Sequence, residues 1–213
     1  MGFAPVDLVE LERGMAQPIG QPAAASTPAS AELDEALLAA CRRGDAAAFG
    51  ELFERTRGYV HAVALHVVRD EAGAADVTQD VYLKLLRRIG QFDGRSGFRT
   101  WLYRIVVSTA LDQLRRRRRF LPLDDPRPEP WGAAGGPEAE LLQRERQRRL
   151  RRAVASLPKR LRLPLVLRFV AELSYREIGE VLGLAPGTVA SRLSRAQRRL
   201  ARLLDGHGEG EAR

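Results

Sequence analysis

Between residues 120 and 137 the chain carries five prolines (Pro122, Pro126, Pro128, Pro130 and Pro137) and three glycines (Gly132, Gly135 and Gly136). Proline lacks the backbone donor a helix needs, so this stretch cannot continue the helical periodicity that runs on either side of it. The break divides the chain into two folding units with a flexible linker over 120–137. From Leu33 to about Arg119 apolar residues recur at helical spacing, interrupted near Gly44, near Asp70 and over Phe92–Phe98. Four helices are expected there, in a unit spanning 31–119. From Glu138 the periodicity returns and holds to Leu204, which marks a second helical unit over 138–204. Residues 1–30 mix Pro5, Pro18, Pro22 and Pro28 with Ala, Gly and Ser and read as a disordered extension, and 205–213 as a fraying tail. The fold class is therefore all-α, two small helical domains joined by a linker. The dominance of Leu, Ala and Arg over aromatic and β-branched residues agrees with it.

Charge narrows the partners. The chain carries a net +8, but residues 141–204 hold sixteen Arg or Lys against four Glu, a surplus of twelve that a deficit of four elsewhere partly offsets. A polyanion is the first partner to consider for the second half, because cations placed near phosphates release counterions. Cys41 is the only cysteine, which excludes an internal disulfide and a cysteine-built zinc site; it reads as a small buried hydrophobe. No stretch approaches the roughly 20 apolar residues of a membrane span. No membrane insertion is expected, and a cytoplasmic location is.

The most informative local pattern lies near the C-terminus. Ser174-Tyr-Arg-Glu177 has capping-box spacing, Ile178 and Leu182 follow on one face, and Gly183 ends the helix. After the turn Leu184–Gly187, Thr188 is placed to cap a second helix with Val189, Leu193, Ala196, Leu200 and Leu203 on its inner face. The opposite face gathers Ser191, Ser194, Arg195, Arg198 and Arg202, with Arg192 and Arg199 on the flank. An arginine-rich amphipathic helix alone is more often a solvated surface. Preceded by a capped helix and a tight turn, it reads as the second helix of a helix-turn-helix. In that geometry Ser191, Ser194 and Arg195 lie nearest base edges, and Arg198 and Arg202 meet phosphates.

In the first half, Phe98-Arg-Thr-Trp-Leu-Tyr-Arg-Ile105 leads through Ser108 and Asp112 into five arginines, Arg115–Arg119. This stretch resembles the promoter-melting, minus-ten-reading helix of region two in the sigma-70 family, particularly its extracytoplasmic-function group. Leu157–Arg168, Leu173–Gly183 and Gly187–Leu193 resemble region four of the same family, which reads the minus-thirty-five element. Asp76-Val-Thr-Gln-Asp80-Val-Tyr82-Leu-Lys-Leu-Leu86 resembles the region-two helix that docks on the clamp coiled coil of the polymerase's largest subunit. The interval between the two halves leaves no room for the family's region three.

The resemblance implies a sigma factor that brings core RNA polymerase to promoter DNA and is not an enzyme. Asp76, Gln79, Asp80 and Tyr82 would contact the core. Phe98, Arg99, Trp101, Arg104, Ser108, Asp112 and Arg115 would meet the minus-ten element, with the Phe92–Arg99 loop holding a flipped base. Thr188, Ser191, Arg192, Ser194, Arg195, Arg198 and Arg199 would meet the minus-thirty-five element. An anti-sigma protein is implied as a further partner, one that could hold the chain near the bacterial membrane, and no cofactor or metal is implied. The sequence departs from the family pattern at Ser108, Ala190 and Ser194, which leaves the promoter preference open. Eighteen linker residues, at about 3.4 Å each, reach roughly 60 Å, or about 18 base pairs of duplex.

Two other readings remain. An operator-binding regulator would account for the back half but leaves Phe98–Arg119 unexplained. A nuclease would need metal ligands, for which His61, His66, Asp76 and Asp80 are the candidates, but their spacing matches no ligand motif.

Overall fold

The computed structural model describes residues 34–120 and 138–204. The extension 1–30, most of the linker 120–137 and the tail 205–213 lie outside the described residues.

Eight α-helices account for nearly all the described residues. In the first half, α1 (Glu35–Arg42), α2 (Ala46–Val68), α3 (Glu71–Arg88) and α4 (Phe98–Phe120) are joined by short turns, with a 3-10 turn over Ile89–Gln91. Each start has a local cause. Asp34 accepts from the Ala36 N–H, Asp45 accepts from those of Ala47 and Ala48, and Asp70 accepts from Gly73. The breaks fall at Gly44, Asp70 and Phe92–Phe98, where proline-free sequence nonetheless offered caps and glycines. Asp70 does a second job: its carboxylate pairs with Arg117 at 2.6 Å, fastening the far end of α4 to the start of α3. Lys84 donates to Thr109 across the same pair of helices at 2.9 Å. α2, α3 and α4 pack mutually around Leu52, Val60, Val63, Val77, Val81, Leu85, Leu102 and Val106, all essentially without solvent contact.

The second half is built from α5 (Glu138–Ser156), α6 (Lys159–Phe169), α7 (Tyr175–Leu182) and α8 (Pro186–Leu204). Arg162 is buried, and its Nη1 donates to the carbonyls of Ala155 and Leu157 at 3.0 and 3.2 Å, so a guanidinium closes the C-terminal end of α5. The Ser174/Glu177 capping box forms at the start of α7, and Gly183 ends that helix in the left-handed region at φ 67°. The helix-turn-helix depends on a close approach. The Leu184 N–H donates to the Gly179 carbonyl at 2.9 Å, and a Cβ on Gly179 would lie 2.5 Å from the Leu184 carbonyl oxygen.

α8 starts three residues earlier than the sequence suggested. Pro186 takes the first helical position, where a missing N–H costs nothing, and the Ala185 carbonyl accepts from Thr188 and Val189. Thr188 is therefore a first-turn residue, not the cap. On α8 the inner face is as expected, with Val189, Leu193, Ala196 and Leu200 buried and Leu203 packed against the core.

The two halves do not stand apart. α4 packs on α7 and α2 on α6, and the buried apolar side chains of both halves form one continuous cluster. Arg99 at the start of α4 donates to the Ala171 carbonyl, and the buried Thr100 hydroxyl lies 3.4 Å from a Glu177 carboxylate oxygen.

Candidate nucleic-acid and polymerase interfaces

The outer face of α8 carries Ser191, Ser194, Arg195, Arg198, Arg199 and Arg202 exposed to solvent, with Thr188 and Arg192 half-buried at its edge. Ser191 Oγ donates to the Thr188 carbonyl at 3.1 Å. The remaining donors point outward from a helix whose first turn stands free beside the α7 turn. That is the arrangement a major groove accepts.

The α4 stripe is mixed in its exposure. Arg104, Ser108 and Arg115 are exposed and Leu102, Ile105 and Val106 face inward, as the helical wheel requires. Ser108 Oγ donates to the Ile105 carbonyl at 3.0 Å, and Asp112 pairs with Arg115 at 3.2 Å. Three expected contacts sit differently. Phe98 is only 6% exposed and packs edge-on against Phe92, their ring centroids 5.5 Å apart, so it shapes the loop from within instead of meeting a base. Trp101 is half-buried against both rings, at 5.3 and 5.8 Å. Arg99 already donates to Ala171 in the other half. Phe98 and Trp101 share a cause: their rings pack with Phe92 of the preceding loop, and the three aromatic side chains supply that corner's core.

On α3, Asp76, Gln79 and Asp80 are exposed together. Tyr82 is not: it is 6% exposed, its hydroxyl hydrogen-bonds Thr56 Oγ1 at 2.7 Å, and its ring meets Phe53 edge-on. Burial pushes the Tyr82 phenol well above its ordinary pKa, with only partial relief from the Thr56 bond. Beside the exposed acids lies a groove of about 440 Å³ between α2 and α3, with Phe49, Phe53, Leu83 and Leu86 along its walls and Tyr82 on its floor. Leu83 and Leu86 are 46% and 57% exposed, large apolar side chains left in water beside a groove. Both fall within the Asp76–Leu86 stretch whose resemblance implies polymerase docking, but neither was among the residues expected to make the contact. The signal was there, since both fall outside the Val77–Val81–Leu85 inner stripe, but an isolated exposed leucine is commonplace.

His61 hydrogen-bonds Glu71 at 2.9 Å and lies 3.4 Å from Thr78 Oγ1, and His66 is buried on α2. Among the described residues no three metal-ligating side chains gather. No described helix is long and apolar enough to cross a membrane.

Glu177 links the cap to the interface between halves. Burial alone would raise its carboxyl, but hydrogen bonds from the Ser174 hydroxyl and N–H outweigh that, and the Arg99 charge and the Thr100 hydroxyl add to them. Its pKa is thereby held below the ordinary 4.5. A depressed carboxylate contributes stability that is present above its unfolded value and lost as pH falls through the folded one. Denaturation midpoints followed downward from pH 6 should therefore drop below about pH 4.5, and Glu177→Gln should flatten part of that slope. An unchanged slope in the variant would remove Glu177 from the acid response.

Comparison with known proteins gives one answer from three directions. The sigma-70 region 2 pattern matches residues 52–120 and the sigma-70 region 4 pattern matches residues 147–200. The chain is 34% identical over 182 residues to the RNA polymerase sigma-H factor of Pseudomonas aeruginosa, covering 81% of this chain and 94% of that one. It is 35% identical over 175 residues to the ECF RNA polymerase sigma-E factor of Escherichia coli K12, covering 77% and 90%. Among solved structures, CnrH in complex with the cytosolic domain of CnrY superposes with a TM-score of 0.61 at 27% identity, covering 81% of this chain and 97% of CnrH. The fold is also shared with RpoE of Bartonella quintana, at a TM-score of 0.58 and 23% identity.

Proposed function

Because this chain belongs to the sigma-70 family, as an RNA polymerase sigma factor of the extracytoplasmic-function type, we propose that its three exposed faces divide the work of initiation. As a sigma factor it directs core polymerase to promoters, and RNA synthesis stays with the polymerase. Residues 31–119 act as region two and 138–204 as region four, joined through 120–137.

The α3 face docks on core polymerase. Asp76, Gln79 and Asp80 supply polar contacts, and Leu83 and Leu86 give the groove beside them an apolar edge that a partner helix would cover. Tyr82 supports that floor without projecting. The α4 face meets the minus-ten element: Arg104, Ser108 and Arg115 lie outward, and the Phe92–Trp101 corner forms a platform beside which an unstacked base fits. Binding of extruded bases offsets part of an unpairing cost of a few kcal/mol, so melting needs no nucleotide hydrolysis. The α8 face meets the minus-thirty-five element, with Ser191, Ser194 and Arg195 at base edges and Arg198, Arg199 and Arg202 at phosphates. Thr188 and Arg192 flank them. An anti-sigma protein is a further partner, in keeping with the complexes of CnrH with the cytosolic domain of CnrY and of RpoE with the anti-sigma factor NepR. A cytoplasmic location accords with these partners.

The observation that carries this reading is the outward donor face of α8 held beside the α7 turn, in the same chain as the acidic and apolar docking face of α3. The test is transcription in vitro by purified core polymerase on a panel of randomised promoters, with this protein, without it, and with Asp80→Arg. Promoter-specific transcripts with the intact protein alone are expected, and Asp80→Arg should cut them at least tenfold while leaving the melting temperature unchanged. Tight duplex binding without core association or transcripts would favour the operator-binding regulator instead.

A further inference from the structure

The groove between α2 and α3 has Phe49 and Phe53 on one wall and the exposed Leu83 and Leu86 along the other. At about 440 Å³ it lies in the size range of ligand pockets, and its apolar walls favour any apolar segment that can reach them. The chain itself carries such a segment. Phe3, Val6, Leu8, Val9 and Leu11 put five large apolar side chains into nine residues, whereas 12–32 hold only Met15 and Ile19. The reach is short. Asp34 caps α1, and α1 packs on α2. One eight-residue helix, about 12 Å long, and the turn 43–45 separate Asp34 from the start of α2, whose first turns carry Phe49 and Phe53. Residues 12–33, 22 in number, join Leu11 to Asp34, and a coil of that length spans roughly 26 Å on average. Residues 14–31 carry no charged side chain that would extend them by repulsion.

Charge favours the same meeting. Asp7, Glu10 and Glu12 outnumber the segment's one base, Arg13. Arg87 is exposed one helical turn beyond Leu83, on its face of α3, and the Arg57 guanidinium lies over the Phe53 ring at 6.0 Å, paired with Glu54. Asp76 and Asp80 stand nearer the start of α3, so the segment's acids belong toward the Arg87 end. We propose that Phe3–Leu11 occupies the groove between α2 and α3 in the free chain, and that core polymerase displaces it on docking. Only the second half of the proposal rests on the function proposed above. Tethering supplies a local concentration on the order of millimolar, so a weak fit is enough to populate the docked form. The apparent dissociation constant for polymerase rises in inverse proportion to the fraction of open grooves, which makes the segment a competitor built into the chain.

The test is photo-cross-linking in the full chain, with benzoylphenylalanine in place of Ala4 and the linked peptides identified by mass spectrometry. Links at monomer mass to peptides holding Phe49–Phe53 or Leu83–Leu86 are expected, and Leu8→Asp with Leu11→Asp should reduce them at least fivefold. Without the cross-linker, the same double substitution should raise affinity for core polymerase about threefold or more and leave binding to a minus-thirty-five duplex unchanged. Links confined to other surfaces, links only at dimer mass, which would assign the groove to a second copy, or an unmoved polymerase affinity would each overturn the proposal. Absence of transcription in every form of the protein, with the monomer links intact, would instead remove the function proposed above and leave the docked segment standing.

Discussion

Gly179→Ala should disable the second half of the molecule. A methyl group there would sit 2.5 Å from the Leu184 carbonyl oxygen, and the obstacle is backbone, not a side chain that can swing away. Gly179 also accepts the Leu184 N–H, so the turn cannot open without giving up the bond that shapes it. Inserting a single carbon into a packed site costs about 1–3 kcal/mol, and a backbone obstacle puts this case at the upper end. The functional loss should exceed the thermodynamic one. The turn sets the angle at which α8 leaves α7, and a groove contact tolerates little misplacement, so binding to a minus-thirty-five duplex should fall more than tenfold. Calorimetry and duplex binding by fluorescence anisotropy measure the two effects separately. A variant with wild-type melting and wild-type affinity would show that the turn relaxes freely and that its close approach has no consequence.

Leu165→Ala should produce the largest loss of stability among single truncations. Leu165 lies on α6 with no solvent exposure, and α6 is the helix that touches α7 and α8 in its own half and α2 in the other. Its removal leaves a void inside the core, and buried Leu→Ala changes of this kind cost about 3–5 kcal/mol. Marginal domains hold only about 5–15 kcal/mol in total, so the variant should lose much of its margin and melt more than about 10 °C lower. Leu86→Ala is the informative control. At 57% exposure it leaves no cavity, so its melting should stay within about 0.5 kcal/mol of the parent while its affinity for core polymerase falls. Equal destabilisation by the two substitutions would mean that Leu86 belongs to the core, and the apolar edge of the docking groove would disappear with it.

The value of the contrast lies in what leucines look like before folding. Leu83, Leu85 and Leu86 fall within four consecutive residues and are chemically identical, yet only Leu85 is buried. Helical phase assigns Leu85 to the Val77–Val81 stripe, so its burial was readable. The exposure of the other two depends on whether α2 covers their side of α3, and no local pattern reports that.

Much of the architecture follows from local chemistry and so was legible without coordinates. Asp45, Asp70 and Ser174 start helices, Gly183 ends one, and a 3.6-residue period sorts Val189, Leu193, Ala196 and Leu200 from Ser191, Ser194 and Arg195. Each of these acts over a turn or two of chain, within the reach of a sequence pattern. The exception within that range was the start of α8, where Pro186 at the first position outcompeted Thr188 as the place to begin. What only the tertiary structure decided are the meetings of residues far apart in the chain: Phe92 with Phe98 and Trp101 at a corner that takes Phe98 out of reach of DNA, Tyr82 turned onto Thr56, Arg117 drawn to Asp70, and Arg99 and Thr100 set against Ala171 and Glu177. Aromatic and cationic side chains serve equally well as core, as ion-pair partner or as nucleic-acid contact. Which role each takes is settled by what the fold brings within about 4 Å of it, and that depends on how helices pack, not on the order of residues along any one of them.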